Sequence, residues 1–307
     1  EEAWLRPSSD GTIEIVVGTQ SNGQGHETSF PQLMEILLGV PASTFRYIQA
    51  NTTLVPTGGG HGGARSLHMA GTALHTAAQD FIQKAKQFAA SLLQTDPRSV
   101  VYENGIFYAS PQNHPTGPHI ALRDLLSATD KTQSDKWFEG YGAVKQAPIT
   151  FPNGCHVAEI ELDPDTGKID ILRYVAIDDY GRLINPMLTE SQVQGGIAQG
   201  IGQALMEGIH YDSDTGQLIT STFMDYAVPR AKDIPWLEIA LVECPTAANP
   251  LGVKGAGQAG AIGAPHTIMN ALINALAPYG ITHIDMAATP ARALPAIQAA
   301  RNSSIQR

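Results

Sequence analysis

Polar side chains able to hydrogen-bond a heterocycle or an anion concentrate in three glycine-rich runs. The first is Gly18-Thr19-Gln20-Ser21-Asn22-Gly23-Gln24-Gly25-His26-Glu27-Thr28. The second is Pro56-Thr57-Gly58-Gly59-Gly60-His61-Gly62-Gly63-Ala64-Arg65-Ser66, and the third is Gly252-Val253-Lys254-Gly255-Ala256-Gly257-Gln258-Ala259-Gly260. Each precedes a helical pattern, and a helix start offers unpaired backbone N–H groups and positive dipole potential, which favour a phosphate or another anion. Gln20, Asn22, Gln24, His26 and His61 add amides and imidazoles, which suit a heterocycle better than a clamp on ATP and Mg²⁺. Glycine also permits tight turns and close helix-to-sheet contact, so for any one loop, and any one histidine, a structural role stays open.

Familiar nucleotide signatures fit poorly. There is no GxxxxGK[ST], and although Gly255 to Gly260 spells GxGxxG, Pro245 and Pro250 part it from the preceding strand and Pro265 is expected to precede the helix. Asp178-Asp179 reads as a structural pair, because adjacent residues of a strand point to opposite faces.

The elements that must position these loops follow from periodicity. Ile13, Ile15 and Val17 alternate as in a half-buried strand over 12–18, and Phe30, Leu33, Met34 and Leu37 recur at helical spacing until Gly39 and Pro41. A strand-like stretch, 44–50, precedes the second loop. Leu67, Ala70, Leu74, Ala77, Phe81 and Ala85 then predict a long helix running to Leu92. Residues 112–148 lack a sustained period and read as a connection with short elements. A hairpin is predicted over 157–162 and 169–176, turned at Asp163-Pro164-Asp165-Thr166-Gly167. A Gly-rich helix over 190–207, a strand over 237–243 and a last helix through Ile268, Leu272 and Leu276 complete the pattern. Met224-Asp225-Tyr226 is expected at a strand end near the core, and the tryptophans Trp4, Trp137 and Trp236 as packing or surface residues.

The chain has 307 residues, 43% of them hydrophobic, which suits a globular protein with two core-forming units, divided near Pro148 into 1–148 and 149–307. A formal charge of −10 gives no electrostatic footprint for a polyanion, so nucleic acid is not an expected partner. Apolar stretches are too short for a membrane span. Two cysteines, Cys155 and Cys244, cannot supply a disulfide framework or an iron–sulfur cluster. Residues 1–7 lack the sections of a signal peptide, and the start reads as a cut inside a longer protein or as a processed subunit.

The three loops occur in order with Asn185-Pro186 and Gln192-Val193-Gln194-Gly195-Gly196-Ile197-Ala198-Gln199-Gly200-Ile201-Gly202, and Asn249-Pro250-Leu251 leads into the third loop. This series resembles the C-terminal half of the molybdopterin-binding large subunit of the xanthine dehydrogenase, aldehyde oxidase and carbon monoxide dehydrogenase family, over about residues 1–295. The resemblance implies an α+β fold of tandem two-layer units with mixed sheets. It also implies a molybdenum–molybdopterin cofactor, as mononucleotide or cytosine dinucleotide, held between halves of the large subunit. Carried over by position, Gln24, Gly25, His26 and Glu27 would line that cofactor. His61, Gly62, Gly63, Ala64, Arg65 and Ser66 would wrap the pterin and approach the metal, and Gln192 would bond the pterin. Lys254, Gly255 and Gly257 would frame the loop beside molybdenum.

In that family the position after the Lys-Gly-x-Gly run is a glutamate that removes the proton from a Mo–OH group as its oxygen attacks an electron-poor carbon and hydride passes to Mo=S. Here it is Gln258. A carboxamide is no base near neutral pH, and a positioned base is worth roughly 10²–10⁴-fold, so impaired chemistry is the expectation. Three explanations stand open: a natural protein with altered or lost activity, an engineered substitution, or another base such as His26, His61 or Glu27.

The family's large subunit is much longer, and its partners carry [2Fe-2S] clusters and usually FAD. The resemblance therefore implies an oxidoreductase component that acts only with an upstream half and these partners, on an aldehyde, purine, nicotinate-like heterocycle or aromatic thioester. The alternative is a non-catalytic relative serving as scaffold or cofactor-binding protein. Cytoplasmic localisation is the default, with export possible through a partner's signal.

Overall fold

The computed structural model describes residues 1–8, 10–55, 57–110, 116–130, 137–146 and 148–305. Pro56 of the second loop, and 112–115, 131–136 and 147 of the expected connection, lie outside the described residues. The chain forms two compact units, each built from separate stretches. The first holds Glu1–Phe151, Gly181–Pro186 and Glu243–Gly255; the second holds Pro152–Tyr180, Met187–Val242 and Ala256–Arg307. A contiguous division near Pro148 thus describes where the chain first leaves the first unit but not its two later returns.

The first unit opens with β1 (Glu2–Pro7) and β2 (Ile13–Val17), an antiparallel pair. α1 (His26–Leu38) follows the first glycine loop and stops at Gly39, whose left-handed backbone (φ 64°) lets its N–H return to the Glu35 carbonyl. β3 (Phe45–Ile48) then lies parallel to β2. α2 (Ser66–Leu93) buries Ala70, Ala73, Leu74, Ala77, Phe81 and Ala85 on one stripe, the three- and four-residue spacing that predicted it. β4 (Val101–Glu103), β5 (Ile106–Tyr108) and β6 (His119–Ala121) form a small antiparallel sheet leading into α3 (Leu122–Ser127).

β7 (Gly140–Ala143) pairs with β1 and completes a four-stranded sheet in the order β3-β2-β1-β7. It lies in the stretch read as a connection with short elements, where two glycines and an alanine outweigh the strand preference of Tyr141. Its glycines serve another purpose: a side chain at Gly140 or Gly142 would strike the carbonyls of Ala77 and Ala73 on α2. The core joins the sheet, α1 and α2, and takes in Leu251 and Val253 from the returning segment.

The second unit starts with β8 (Asn153–Leu162) and β9 (Ile169–Asp179), an antiparallel hairpin with a bulge at Glu159/Ile160. Gly167 (φ 72°) turns it as expected. α4 (Pro186–Leu205) precedes β10 (Leu237–Val242), which lies parallel to β9 and gives a sheet ordered β10-β9-β8. α5 (Ala259–Leu276) packs on β8, and α6 (Pro290–Ile305) ends the described chain. The mixed sheets with helices against them are the expected α+β class.

Two local expectations change. Pro265 lies inside α5, not ahead of it. Its buried ring packs where a side chain at Gly200 of α4 would otherwise fall, so tertiary contact outweighs the lost N–H. Met224-Asp225-Tyr226 is a turn, with the Asp225 and Tyr226 amides bonded back to the Thr222 carbonyl and Met224 93% exposed.

The second unit also holds a buried polar network on its inner face. His156 Nδ1 lies 2.8 Å from the Tyr174 hydroxyl and its Nε2 lies 3.1 Å from Asp178 Oδ1, while the Tyr180 hydroxyl donates to Asp178 Oδ2 at 3.1 Å. Burial pushes the Tyr174 hydroxyl up to about 12. Asp178 and Asp179 are both buried, in keeping with a structural pair. By sequence, the second unit carries fifteen carboxylates against seven lysines and arginines, and the first fourteen against twelve. No helix among the described residues is long and apolar enough to cross a membrane.

Candidate cofactor-binding loops

Within the first unit three loops meet. Gly18, at the end of β2, lies against the second loop so closely that a β-carbon on it would come within 2.7 Å of the Gly58 Cα. Asn22 Nδ2 lies 3.3 Å from His61 Nε2, linking the tips of both loops. The returning segment joins them at Gly255, where any side chain would strike the carbonyl of Ala64. Ala64 itself takes a left-handed backbone (φ 55°), a conformation that costs a residue with a β-carbon about 1 kcal/mol or more.

The first loop is braced from within. Gln24 accepts from the Asn22 amide at 2.7 Å and donates to the Gln20 carbonyl at 3.1 Å, while the Ser21 amide donates to Gln49 Oε1 at 2.6 Å. The Tyr47 hydroxyl donates to the Thr19 carbonyl. Gly25, at φ 76°, turns the chain into α1. His26 is the first residue of that helix, stacked on Phe30 with ring centroids 4.6 Å apart, and Ser29 Oγ is 3.5 Å from its Nδ1. Burial lowers its pKa to about 4, so the imidazole is neutral at pH 7. Glu27 is exposed in the first turn, where the helix dipole favours a carboxylate.

In the second loop Arg65 folds back, donating to the carbonyls of Gly59 and Gly60, and closes the loop on itself. His61, Gly62 and Gly63 are exposed at its tip, and Ser66 is buried at the start of α2. The returning segment is shaped by Asn249. Its Nδ2 donates to the Val253 carbonyl at 2.8 Å, and its Oδ1 accepts from the amides of Leu251 and Val253 at 3.2 Å. Asn185 of the other returning segment donates to Gln32 of α1 at 2.8 Å. Lys254 follows this turn, half-buried.

Thr19 Oγ1 and His26 Nε2 are among the buried polar atoms of the first loop that find no hydrogen-bond partner among the described residues. Leaving such groups unsatisfied costs about 1–3 kcal/mol each, so they are the residues' strongest sign of a polar ligand. Sequence reasoning named His26 but not Thr19, whose burial no local pattern announces.

Gln192, Gly257 and Gln258 belong to the second unit. The Gln192 Nε2 donates to the Gly257 carbonyl at 2.7 Å, tying α4 to the residue ahead of α5. Gln258 occupies the N-cap position of α5 with its side chain exposed and making no cap bond. Glycines let the two helices touch: a β-carbon on Gly196 would lie 2.8 Å from the Ala261 amide. The predicted site residues therefore fall into two groups, one in each unit.

The molybdopterin cofactor-binding domain family matches residues 1–235. The large subunit of nicotine 6-hydroxylase from Paenarthrobacter nicotinovorans is 33% identical over 96% of this chain and 36% of its own length. Subunit gamma of the 6-hydroxypseudooxynicotine dehydrogenase complex of the same organism is 34% identical over 90% of this chain and 35% of its own length. The crystal structure of Cu,Mo-CO dehydrogenase in its carbon monoxide reduced state aligns with a TM-score of 0.88 at 28% identity, covering 98% of this chain and 38% of that one. The chain thus spans little more than a third of the relatives it matches. With its α+β units and converging glycine loops, this chain belongs to the molybdopterin cofactor-binding domain family of molybdenum hydroxylase large subunits.

Proposed function

We propose that the two units are cofactor-binding subdomains of a molybdenum hydroxylase acting on an aldehyde or N-heterocycle, and that Gln258 leaves its chemistry impaired. The observation that carries the cofactor reading is the pair of buried unpartnered atoms, Thr19 Oγ1 and His26 Nε2, beside glycine loops that a β-carbon would close. The residues fit such a group. Backbone N–H groups around Gly25 and His26, at the start of α1, would receive a phosphate or pterin oxygen. Neutral His26 would hydrogen-bond the pterin without adding charge, and His61, Gly62, Gly63 and Ala64 would offer backbone along its edge. Lys254, Gly255 and Gly257 would frame the metal side, with Gln192 holding Gly257 in place.

The bound cofactor would supply two-electron redox chemistry that inserts a water-derived oxygen into a carbon–hydrogen bond. Gln258, at the head of α5, can hold a proton donor or acceptor by hydrogen bonds but cannot take the proton away at pH 7. A carboxylate at the same place would be favoured by the dipole of α5. The cofactor's nucleotide form would be the mononucleotide or the cytosine dinucleotide, and the [2Fe-2S] clusters and FAD would sit on partner chains or domains, in a complex that is cytoplasmic or exported by a partner's signal.

The test is co-expression with the remainder of the large subunit and its neighbours, followed by metal analysis and oxidation assays on aldehydes and N-heterocycles. Stoichiometric molybdenum is expected, with oxidation rising about 10²-fold or more in Gln258→Glu. Molybdenum without activity in either form would favour the second reading, a non-catalytic cofactor-binding scaffold, to which the amide at 258 also points. Absence of molybdenum would overturn both.

A further inference from the structure

The three-stranded sheet of the second unit has two unlike faces. α5 covers the inner one, where Tyr174, Ala176 and Asp178 are buried. On the outer face the register sets Cys155 beside Ile177 and Ala240, and Val157 beside Val175. Val157 is 59% exposed, Ile177 47% and Val242 45%. A solvated sheet face normally carries polar side chains, and parallel pairs such as β9–β10 are normally covered on both sides. An aliphatic strip running across all three strands is the signature of an interaction surface.

Its border is anionic. Glu159, Glu161 and Glu238 flank the strip; Arg173 and Glu238 neutralise each other in a bidentate pair at 2.5 and 2.8 Å, so the net negative charge rests on Glu159 and Glu161. Lys168, at the hairpin end, is paired with Asp170. The unit as a whole has an excess of eight carboxylates over lysines and arginines. Two copies meeting through this face would set carboxylates against carboxylates, which opposes self-association.

We propose that this sheet face docks a protein surface with an aliphatic centre and a lysine- and arginine-bearing rim, supplied from outside this chain. The inference is independent of the cofactor reading and of Gln258.

Cys155 lies on the face and is exposed, and Cys244 is the other cysteine of this chain, so Cys244→Ser leaves one thiol here, followed in the assembly by mass spectrometry of the peptide that carries Cys155. Its alkylation by N-ethylmaleimide, an uncharged probe, is measured in the isolated chain and in the native assembly purified from its host. In the isolated chain the rate should approach that of the urea-unfolded chain, and in the assembly it should fall by about tenfold, since the reaction needs an accessible thiol. Glu159→Lys with Glu238→Lys should return the assembled rate by roughly threefold or more toward the isolated value. If that variant misfolds by circular dichroism, the unsubstituted rim is tested by raising NaCl from roughly 50 to 500 mM, which should weaken protection.

Equal rates in chain and assembly would overturn the docking surface. Protection indifferent to both charge reversal and salt would overturn the cationic rim. Protection in the isolated chain at raised concentration, with a sedimenting dimer that Ile177→Glu dissociates, would overturn the external partner in favour of a second copy.

Discussion

The two units share one plan and finish it differently. Each runs antiparallel hairpin, helix, parallel strand, helix, with the last helix packed on the first strand of the hairpin: β1-β2-α1-β3-α2 in one, β8-β9-α4-β10-α5 in the other. The first adds β7 at the sheet edge and dresses its outer face with its own groups. Trp4 packs on Tyr141 with centroids 5.4 Å apart, Arg6 lies over Trp4, and Glu14 and Glu139 pair with Arg46 and Arg6. The second leaves its outer face aliphatic and places a polar network on the inner one. The same plan thus yields an apolar interior with loops that gather polar groups at one end, and a polar-pinned interior with an open face. Equivalent topology does not fix where a unit keeps its charge.

Substitutions can break this contrast. The largest expected effect is His156→Leu, which leaves the buried Asp178 carboxylate with one fewer partner and should destabilise the second unit by about 3 kcal/mol. Urea unfolding followed by hydrogen exchange should assign the loss to β8 and β9, and equal loss in β1 and β2 would mean the units do not melt separately. Next, Gly142→Ala should cost the first unit about 2–3 kcal/mol through overpacking against the α2 backbone. The corresponding probe in the second, Gly196→Ala, meets a gentler 2.8 Å approach and should cost less.

The neutral, buried His26 gives a pH signature to the first unit alone. Its folded pKa, about 4, lies below the ordinary value of 6.5, so the unfolded chain binds the proton more readily. The stability held above pH 6.5 should therefore fall as pH drops toward 4, by on the order of 2 kcal/mol. His26→Gln should reduce that difference in urea midpoints between pH 7 and 4.5, the remainder resting in part on His68 and His75, which burial also holds below the ordinary value, and an unchanged slope would remove His26 from the account. Smallest is Asn249→Ala, which opens the turn that feeds Leu251 and Val253 into the first core and should cost about 1–2 kcal/mol by thermal unfolding.

Much of this plan is legible in the residues themselves. The 3.6 period of 67–92 and the alternation of Ile13, Ile15 and Val17 mark elements because one face of each is buried whatever its neighbours. The glycine loops are visible because a left-handed or closely approached backbone excludes other residues, as at Gly25 and Gly255. What stays hidden depends on partners distant in sequence. β7 is a strand through its pairing with β1, its glycines admitting the α2 backbone, and His156 finds Asp178 only through the register of β8 on β9. The burial of Thr19 is decided by the assembled loops. The division of the chain is hidden for the same reason, since nothing local tells Leu251 to return to a core begun at Ala3.

That return has a consequence for how the protein is made. The first unit lacks Leu251 and Val253 until the ribosome has passed well beyond Phe151, because its final stretch ends at Gly255. At the usual roughly 5–20 residues per second, the nascent first unit waits about 5–20 s with that part of its core uncovered. Its early elements must hold together through local pairing and α2 alone. The interval is a window in which chaperones or a premature partner could seize it, and in which slow codons between 151 and 255 would be felt.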